Sequence, residues 1–289
     1  MVGRSTQTVA SKQSWVPIKV LCPIHSAAFA EWVGDYGPPS AGPPVRYHKV
    51  MPQFPPGQTL LIDADDTLWE NNVYFERAIA AFIGYLNHHE YSPAEVRRAL
   101  NEVERETIIT HGYGLPSFTH SLLLCFERLS PSAFSEESRR QVESFARAIA
   151  DQEIELLPGV AETLAELSAR HRLILMTKGN HAEQADKLTR SGLASYFSAI
   201  EIVAEKDPAT YREVIQRYGS APDATCVRSY WMIGNSPKSD INPALAAGLN
   251  AVHLLHKDTW VLEHATLDAA PEGQLLIELD AFAKLGAIF

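Results

Sequence analysis

One stretch limits this chain more than any other: an apolar run that stops at a cluster of acids, Thr59-Leu60-Leu61-Ile62-Asp63-Ala64-Asp65-Asp66-Thr67-Leu68-Trp69. Three apolar residues that end in turn chemistry predict a buried strand feeding a loop. Three carboxylates within four positions repel one another, so folding gathers them at a cost unless a cation or a proton neutralises them. Asp63 and Asp65 lie two apart, so a strand end or its first loop turn can aim both into one crevice. The carboxyl ends of parallel strands are where open α/β sheets bind ligands. An acidic loop with Asp66 capping a turn accounts for the same residues, and this stretch alone leaves both readings open.

After Trp69 the pattern turns helical until about Leu157. Phe75, Ile79, Phe82, Ile83 and Leu86 mark one apolar face. Ser92-Pro93-Ala94-Glu95 is a capping box with Pro at the first helical position, so a second helix starts there, its face carrying Val96, Leu100, Val103 and Ile108. A break at His111-Gly-Tyr-Gly-Leu-Pro116 separates it from a third helix near 117–129, and a fourth follows Ser135. Helices of this length can bury their apolar faces against each other as a small bundle. Pro158-Gly159 marks a return to alternation. Helix 160–169 leads to strand 173–176, helix 182–190, strand 200–203, helix 208–218, strand 230–233, helix 237–247 and strand 251–255. The tail 275–285 adds a strand and a short helix. Such alternation implies a mostly parallel sheet covered on both faces.

Four motifs sit at predicted strand ends. Asp63-x-Asp65-x-Thr67 resembles the first motif of the haloacid dehalogenase superfamily, in its phosphatase branch. Leu173-Ile-Leu-Met-Thr177 resembles the second, and Lys206 in Ala204-Glu-Lys-Asp-Pro208 the third. Met232-Ile-Gly-Asn-Ser-Pro-Lys-Ser-Asp240 resembles the fourth, usually written Gly-Asp-Ser-x-x-x-Asp. The resemblance implies a Rossmann-like α/β core over 58–70 and 157–289. It also implies that the inserted helices, 71–156, form a cap over the active site, of the kind that excludes water.

The resemblance further implies a Mg²⁺-dependent phosphatase. A carboxylate can attack a phosphate monoester when a divalent cation lies between the two anions. Asp63 is then the nucleophile, forming an aspartyl-phosphate, and Asp65 the general acid and base. That second role calls for a raised pKa, which clustered carboxylates can supply. Thr177 donates a hydroxyl to the phosphoryl group, and Lys206 supplies a fixed positive charge. The expected metal set is Asp63, Asp65 (through its carbonyl), Asn235 and Asp240, an oxygen-rich site that suits Mg²⁺. Asn235 departs from the usual Asp of the fourth motif, which bears on metal affinity more than on reaction type. Thr67 orients the loop. Lys178, Gly179 and Asn180 open a helix whose amides suit an anion. His111 and Tyr113, in the Gly-rich break, are candidate substrate contacts, as are Trp69, Asn71, Asn72 and Tyr74.

Composition excludes other classes. The chain has 289 residues, of which 46% are hydrophobic, enough for a full α/β core. A net charge of −10 argues against a nucleic-acid partner and says nothing against a small phosphorylated substrate. No apolar run reaches membrane-spanning length. Cys22, Cys125 and Cys226 show neither metal spacing nor a disulfide framework, which fits a reducing, cytoplasmic setting. Residues 1–57 are Pro-rich and expected to be poorly ordered, with an arm lying on the core or a targeting segment as other readings. Two further functions stay open: a phosphomutase or phosphotransferase, in which a second alcohol replaces water, and a catalytically silent binding or scaffold protein with the Pro-rich arm as docking element. Dehalogenation does not call for the second acid at Asp65.

Overall fold

The computed structural model describes residues 52–86, 90–218 and 229–289. Cys22, Cys226, His88, His89 and most of the Pro-rich extension lie outside them. β1 (Thr59–Ile62) is buried along its whole length. It has parallel neighbours on both sides, β2 (Arg172–Lys178) and β4 (Tyr230–Gly234). With β3 (Ala199–Val203), β5 (Asn250–Leu254) and β6 (Leu276–Leu279) the strand order is β3-β2-β1-β4-β5-β6, parallel throughout. The chain therefore builds outward from β1 to β3, then returns to the other side of β1 for β4. That reversal opens a crevice at the carboxyl ends of β1 and β4.

The period-two pleat sends alternate side chains to opposite faces. Leu60 and Ile62 join Leu173, Leu175, Trp231 and Ile233 in one core, covered by α5 (Val160–Ser168) and the C-terminal residues Phe282 to Phe289. Leu61 joins Ile174, Met176 and Met232 on the other face, under Tyr211 and Val214 of α7 (Pro208–Tyr218). α6 (His181–Ser191) follows β2 and is capped by Asn180. The last residues of the extension lie on the core, as in the arm reading: Phe54 packs its ring 4.5 Å from Trp231, and its amide donates to Ile288 O at 2.8 Å. Residues 52–57 are thus seated on the sheet layer.

Between β1 and α5 run α1 (Asn72–Leu86), α2 (Pro93–His111), α3 (Leu115–Leu129) and α4 (Glu136–Ala150). Their stripes, among them Phe82, Leu100, Leu122 and Val142, form an apolar cluster that shares no residue with the sheet cores. The capping box at Ser92 and Glu95 forms as predicted. Among the described residues, no helix is long and apolar enough to cross a membrane.

One expected element is broken. The single helix predicted over 237–247 is a wide turn, Pro237–Ile241, followed by a short α8 (Asn242–Ala246). Pro243 has no amide to give the carbonyl of Ser239. The Tyr211 hydroxyl donates to that carbonyl instead, at 2.9 Å. Such wide turns inside helices are frequent at functional sites.

Candidate active site

The three acids after β1 end in three different environments. The Lys206 ammonium, 3% exposed, lies 2.5 Å from Asp63 Oδ1 and 2.7 Å from Asp240 Oδ1. Burial and the Asp240 carboxylate push the Asp63 carboxyl up to about 7, against the pull of Lys206. Burial opposes the charge on Lys206, but Asp240 and Asp63 outweigh it and hold its pKa above the usual lysine range. Asp66 adopts a left-handed conformation, φ 59°, and Oδ1 accepts the amides of Asn71 (2.8 Å) and Asn72 (3.0 Å), so it caps α1. Both early readings of the loop are therefore present, on different residues.

Asp65 differs from its expectation. Burial pushes its pKa up, but Lys187 and hydrogen bonds from Lys187, Gln184 and Trp69 hold it below the usual carboxylate range. Lys187 Nζ lies 2.9 Å from Oδ1, the Trp69 indole donates to Oδ1 at 2.8 Å, and the Gln184 amide to Oδ2 at 2.8 Å. Like-charge repulsion does not decide this carboxyl, because the Lys187 ammonium of α6 is in direct contact with it. Sequence reading passed over Gln184 and Lys187: both lie inside α6, away from any strand end. Trp69 is buried and linked to Asp65, Asn71 accepts from Lys187 at 2.8 Å, and Tyr74 donates to Glu155 on the exterior.

The remaining motif residues converge. Asp63, Asp65, Thr177, Lys206, Asn235 and Asp240 line one cavity between the strand ends and the helical insert. Lys178, Gly179 and Tyr113 line it too. Thr67 is fully buried behind it, its hydroxyl 3.0 Å from Asp63 Oδ2 and 3.5 Å from Asn235 Oδ1. It therefore steers Asp63 rather than facing a substrate. Asp240 approaches β4 so closely that a Cβ at Gly234 would collide with its carboxylate. Asp240 Oδ2 also accepts the Ser236 amide at 2.9 Å.

The α6 entrance is less open to an anion than its sequence suggested. The Gly179 amide donates to Val203 O at 3.1 Å, and Asn180 Oδ1 takes the amides of Ala182 and Glu183. Asn180 and His111 do not line the cavity; the exposed His111 ring lies beside His120. Lys178 is tied at 2.7 Å to both Glu263 and Ser239. Burial opposes its charge, yet Glu263 and its other neighbours raise its pKa. Tyr113 crosses from the insert to the core: its ring lies 4.3 Å from Lys178 Nζ, and its hydroxyl donates to Glu205 at 2.7 Å. Beside it, the Leu115 amide at the start of α3 donates to Glu183 Oε2 of α6 at 3.0 Å.

The donor set fits a hard divalent cation. Asp63 Oδ2 and Asn235 Oδ1 converge on one hydroxyl, Asp240 stands across the same ammonium, and two buried carboxylates against one Lys206 leave a negative excess. A second group, Asp66, Glu70 and His256, places possible ligand atoms within 4.8 Å of one another. Asp66 spends its oxygens there on capping amides, and only Asp66 of the three lines the cavity.

Known proteins are similar to this chain. A phosphoserine phosphatase of Thermus thermophilus is 33% identical over 125 residues, 40% of this chain and 47% of that protein. An N-acylneuraminate-9-phosphatase of Rattus norvegicus is 31% identical over 115 residues, 38% and 44% of the respective chains. The chain thus spans about half the length of the curated relatives it matches. The crystal structure of a haloacid dehalogenase-like hydrolase from Xanthomonas campestris superposes with a TM-score of 0.67 at 27% identity, over 81% of this chain and 95% of that one. The family model for haloacid dehalogenase-like hydrolases matches residues 58–248, more than half of the sequence and all four strand-end motifs. Because that match covers more than half of the sequence, the chain belongs to the haloacid dehalogenase-like hydrolases.

Proposed function

We propose that the protein is a Mg²⁺-dependent phosphatase of a small phosphorylated metabolite, working through an aspartyl-phosphate on Asp63. The observation that carries this reading is the buried Lys206 bridge between Asp63 and Asp240 at 2.5 and 2.7 Å. A nucleophilic carboxylate needs its charge offset while an anionic phosphoryl group approaches, and this ammonium is fixed in place to do so. Asp63, Asn235, Asp240 and the Asp65 carbonyl would hold Mg²⁺, which supplies charge neutralisation of the phosphoryl oxygens when bound. Thr67 holds Asp63 Oδ2 in position through its hydroxyl. Thr177, buried at the end of β2, offers a hydroxyl to the phosphoryl group.

Asp63 attacks phosphorus, the ester P–O bond breaks, and the leaving alkoxide takes a proton from Asp65. Water then attacks the acyl-phosphate, gives its proton back to Asp65, and releases phosphate. The Lys187, Gln184 and Trp69 contacts favour the ionised Asp65 that this second half requires, and the first proton enters with the substrate monoanion. The helical insert acts as the cap, and the reading carries with it a cytoplasmic location.

The test is hydrolysis of p-nitrophenyl phosphate with Mg²⁺ and with EDTA, followed by phosphoserine and N-acylneuraminate 9-phosphate as the first natural candidates. Mg²⁺-dependent phosphate release supports the reading. Transfer of phosphate to an added alcohol without release would shift it to a phosphotransferase, and inertness toward every ester would remove it.

A further inference from the structure

The wall of the cavity opposite the strand ends comes from α1, α2 and α3. It carries the apolar Phe75, Ile79, Ile108 and Phe118 beside the uncharged polar Asn72, Ser117 and Ser121. Glu104 of α2 is the one acid or base that these helices bring to it among the described residues. Glu104 is 5% exposed, and its Oε2 has no hydrogen-bond partner among the described residues. Burial pushes the carboxyl up to about 7; Arg97 and Arg105 pull weakly the other way and Glu76 adds to the rise. Arg97 cannot swing over to neutralise it, because its guanidinium already holds both Glu76 oxygens at 2.6 and 2.7 Å. A buried carboxyl left this way costs stability. It takes no part in the proposed attack, proton transfer or metal binding. The cavity's own cations cannot serve it either, since Lys178, Lys187 and Lys206 are each held by carboxylates on the sheet side.

We propose that Glu104 is a specificity residue that takes an ammonium group on the alcohol part of the substrate, so that the preferred substrates are phosphate monoesters of small amino alcohols. The chemistry follows from the wall itself. A surface of aromatic and aliphatic side chains with one carboxyl among them gives an ammonium-bearing carbon chain both packing for its methylenes and one charge-assisted hydrogen bond. An uncharged alkyl group in the same place leaves Oε2 unpaired, and sites with an unpaired buried polar group reject such analogues strongly. A second anion on that end of the substrate would face Glu104 directly and be repelled. The inference rests on the phosphatase reading for where the phosphoryl group sits.

The experiment compares ω-aminoalkyl phosphates of increasing length with n-alkyl phosphates of matched length, for wild type, Glu104→Gln and Glu104→Asp. At the best length the wild-type kcat/KM should favour the amine by about 100-fold, the scale of a lost charged hydrogen bond. The ratio should collapse toward unity in Glu104→Gln and lie between in Glu104→Asp. A ratio unchanged by Glu104→Gln, or no amine preference at any length, overturns the proposal. Calorimetric binding of the matched non-hydrolysable phosphonates, with and without the terminal amine, gives a readout independent of turnover. If no ester is hydrolysed but wild type still binds the amine more tightly and Glu104→Gln does not, the phosphatase reading fails and the ammonium site stands. Equal binding by both proteins sinks the ammonium site. Circular dichroism and thermal midpoints confirm that the variants fold.

Discussion

On the sheet side of the cavity, Lys178, Lys187 and Lys206 are each tied to a carboxylate. On the helical side, Glu104 faces the same space with one oxygen bonded to nothing among the described residues. Both walls bury charge, but only one resolves it internally. A wall whose charges are already matched is preorganised: it can meet a phosphoryl group without rearranging. A wall that carries an unmatched group loses stability until something from outside completes it. On the proposed reading, the contrast divides labour between reaction, at the ends of β1, β2 and β4, and selection, on α2.

The hardest way to break the sheet side is Asp63→Asn. The amide cannot form the acyl-phosphate, so turnover of p-nitrophenyl phosphate should fall by several orders of magnitude. Because a carboxyl raised by burial is removed, the thermal midpoint should hold or rise. Steady-state rates beside a melting curve decide it, and near-normal turnover would end the covalent mechanism.

Lys187→Met should come next. It removes the ammonium that holds Asp65 and leaves the nucleophile pair with Lys206 intact. Proton-transfer groups contribute roughly 10²–10⁴-fold, and we expect kcat to drop by about 100-fold with KM little changed. A rise in KM at constant kcat would instead assign Lys187 to substrate binding.

Glu104→Gln sharpens the comparison through stability. Burial holds the folded carboxyl up at about 7, above the 4.5 of a free glutamate. Between those values the folded state holds more protons than the unfolded one, so this group makes stability fall as pH rises through the window. The variant lacks that loss. Its advantage over wild type should be absent below the unfolded pKa, open as pH rises, and reach on the order of 3 kcal/mol above the folded pKa. Asp63 and Asp66 are also raised to about 7, but both proteins share them and their contribution cancels. Urea denaturation at acidic and mildly alkaline pH measures the difference; a gap independent of pH would show that Glu104 is not buried as a charge.

Tyr113→Phe should have the smallest effect. It deletes the hydrogen bond to Glu205 and keeps the ring over Lys178. The expected loss is about 1 kcal/mol or less, read as a few-fold change in KM for a natural substrate. A large loss in kcat would mean that the hydroxyl reaches the reacting atoms.

The sequence made the sheet side easier to read than the helical side, for a physical reason. A strand must end where its apolar run ends, so residues such as Asp63, Thr177, Lys206 and Asp240 are marked by position as well as by type. The four helices of the insert were equally plain from their apolar spacing and from the Ser92 capping box. Lys187 and Gln184 were not marked: on a polar helix face, one amide and one lysine look like solvated surface. Glu104 did leave a trace. It falls on the stripe of Val96, Leu100 and Val103, where an acid breaks the apolar pattern of α2, but a stripe does not say which cavity it faces. The broken helix after Pro237 required knowing that Tyr211 would reach the Ser239 carbonyl, which is a contact between elements and not a local preference.

The Leu115 amide finds its acceptor on α6 rather than on its own helix. A helix normally closes its first turn with a side chain from its own N-cap, and here Gly114 has none to offer. The insert therefore borrows the end of one helix from the core. Any swing of the insert away from the strand ends has to uncap α3, at about the 1 kcal/mol of an ordinary cap. The exchange rate of the Leu115 amide with deuterated solvent reports each opening directly, without a substrate in the assay.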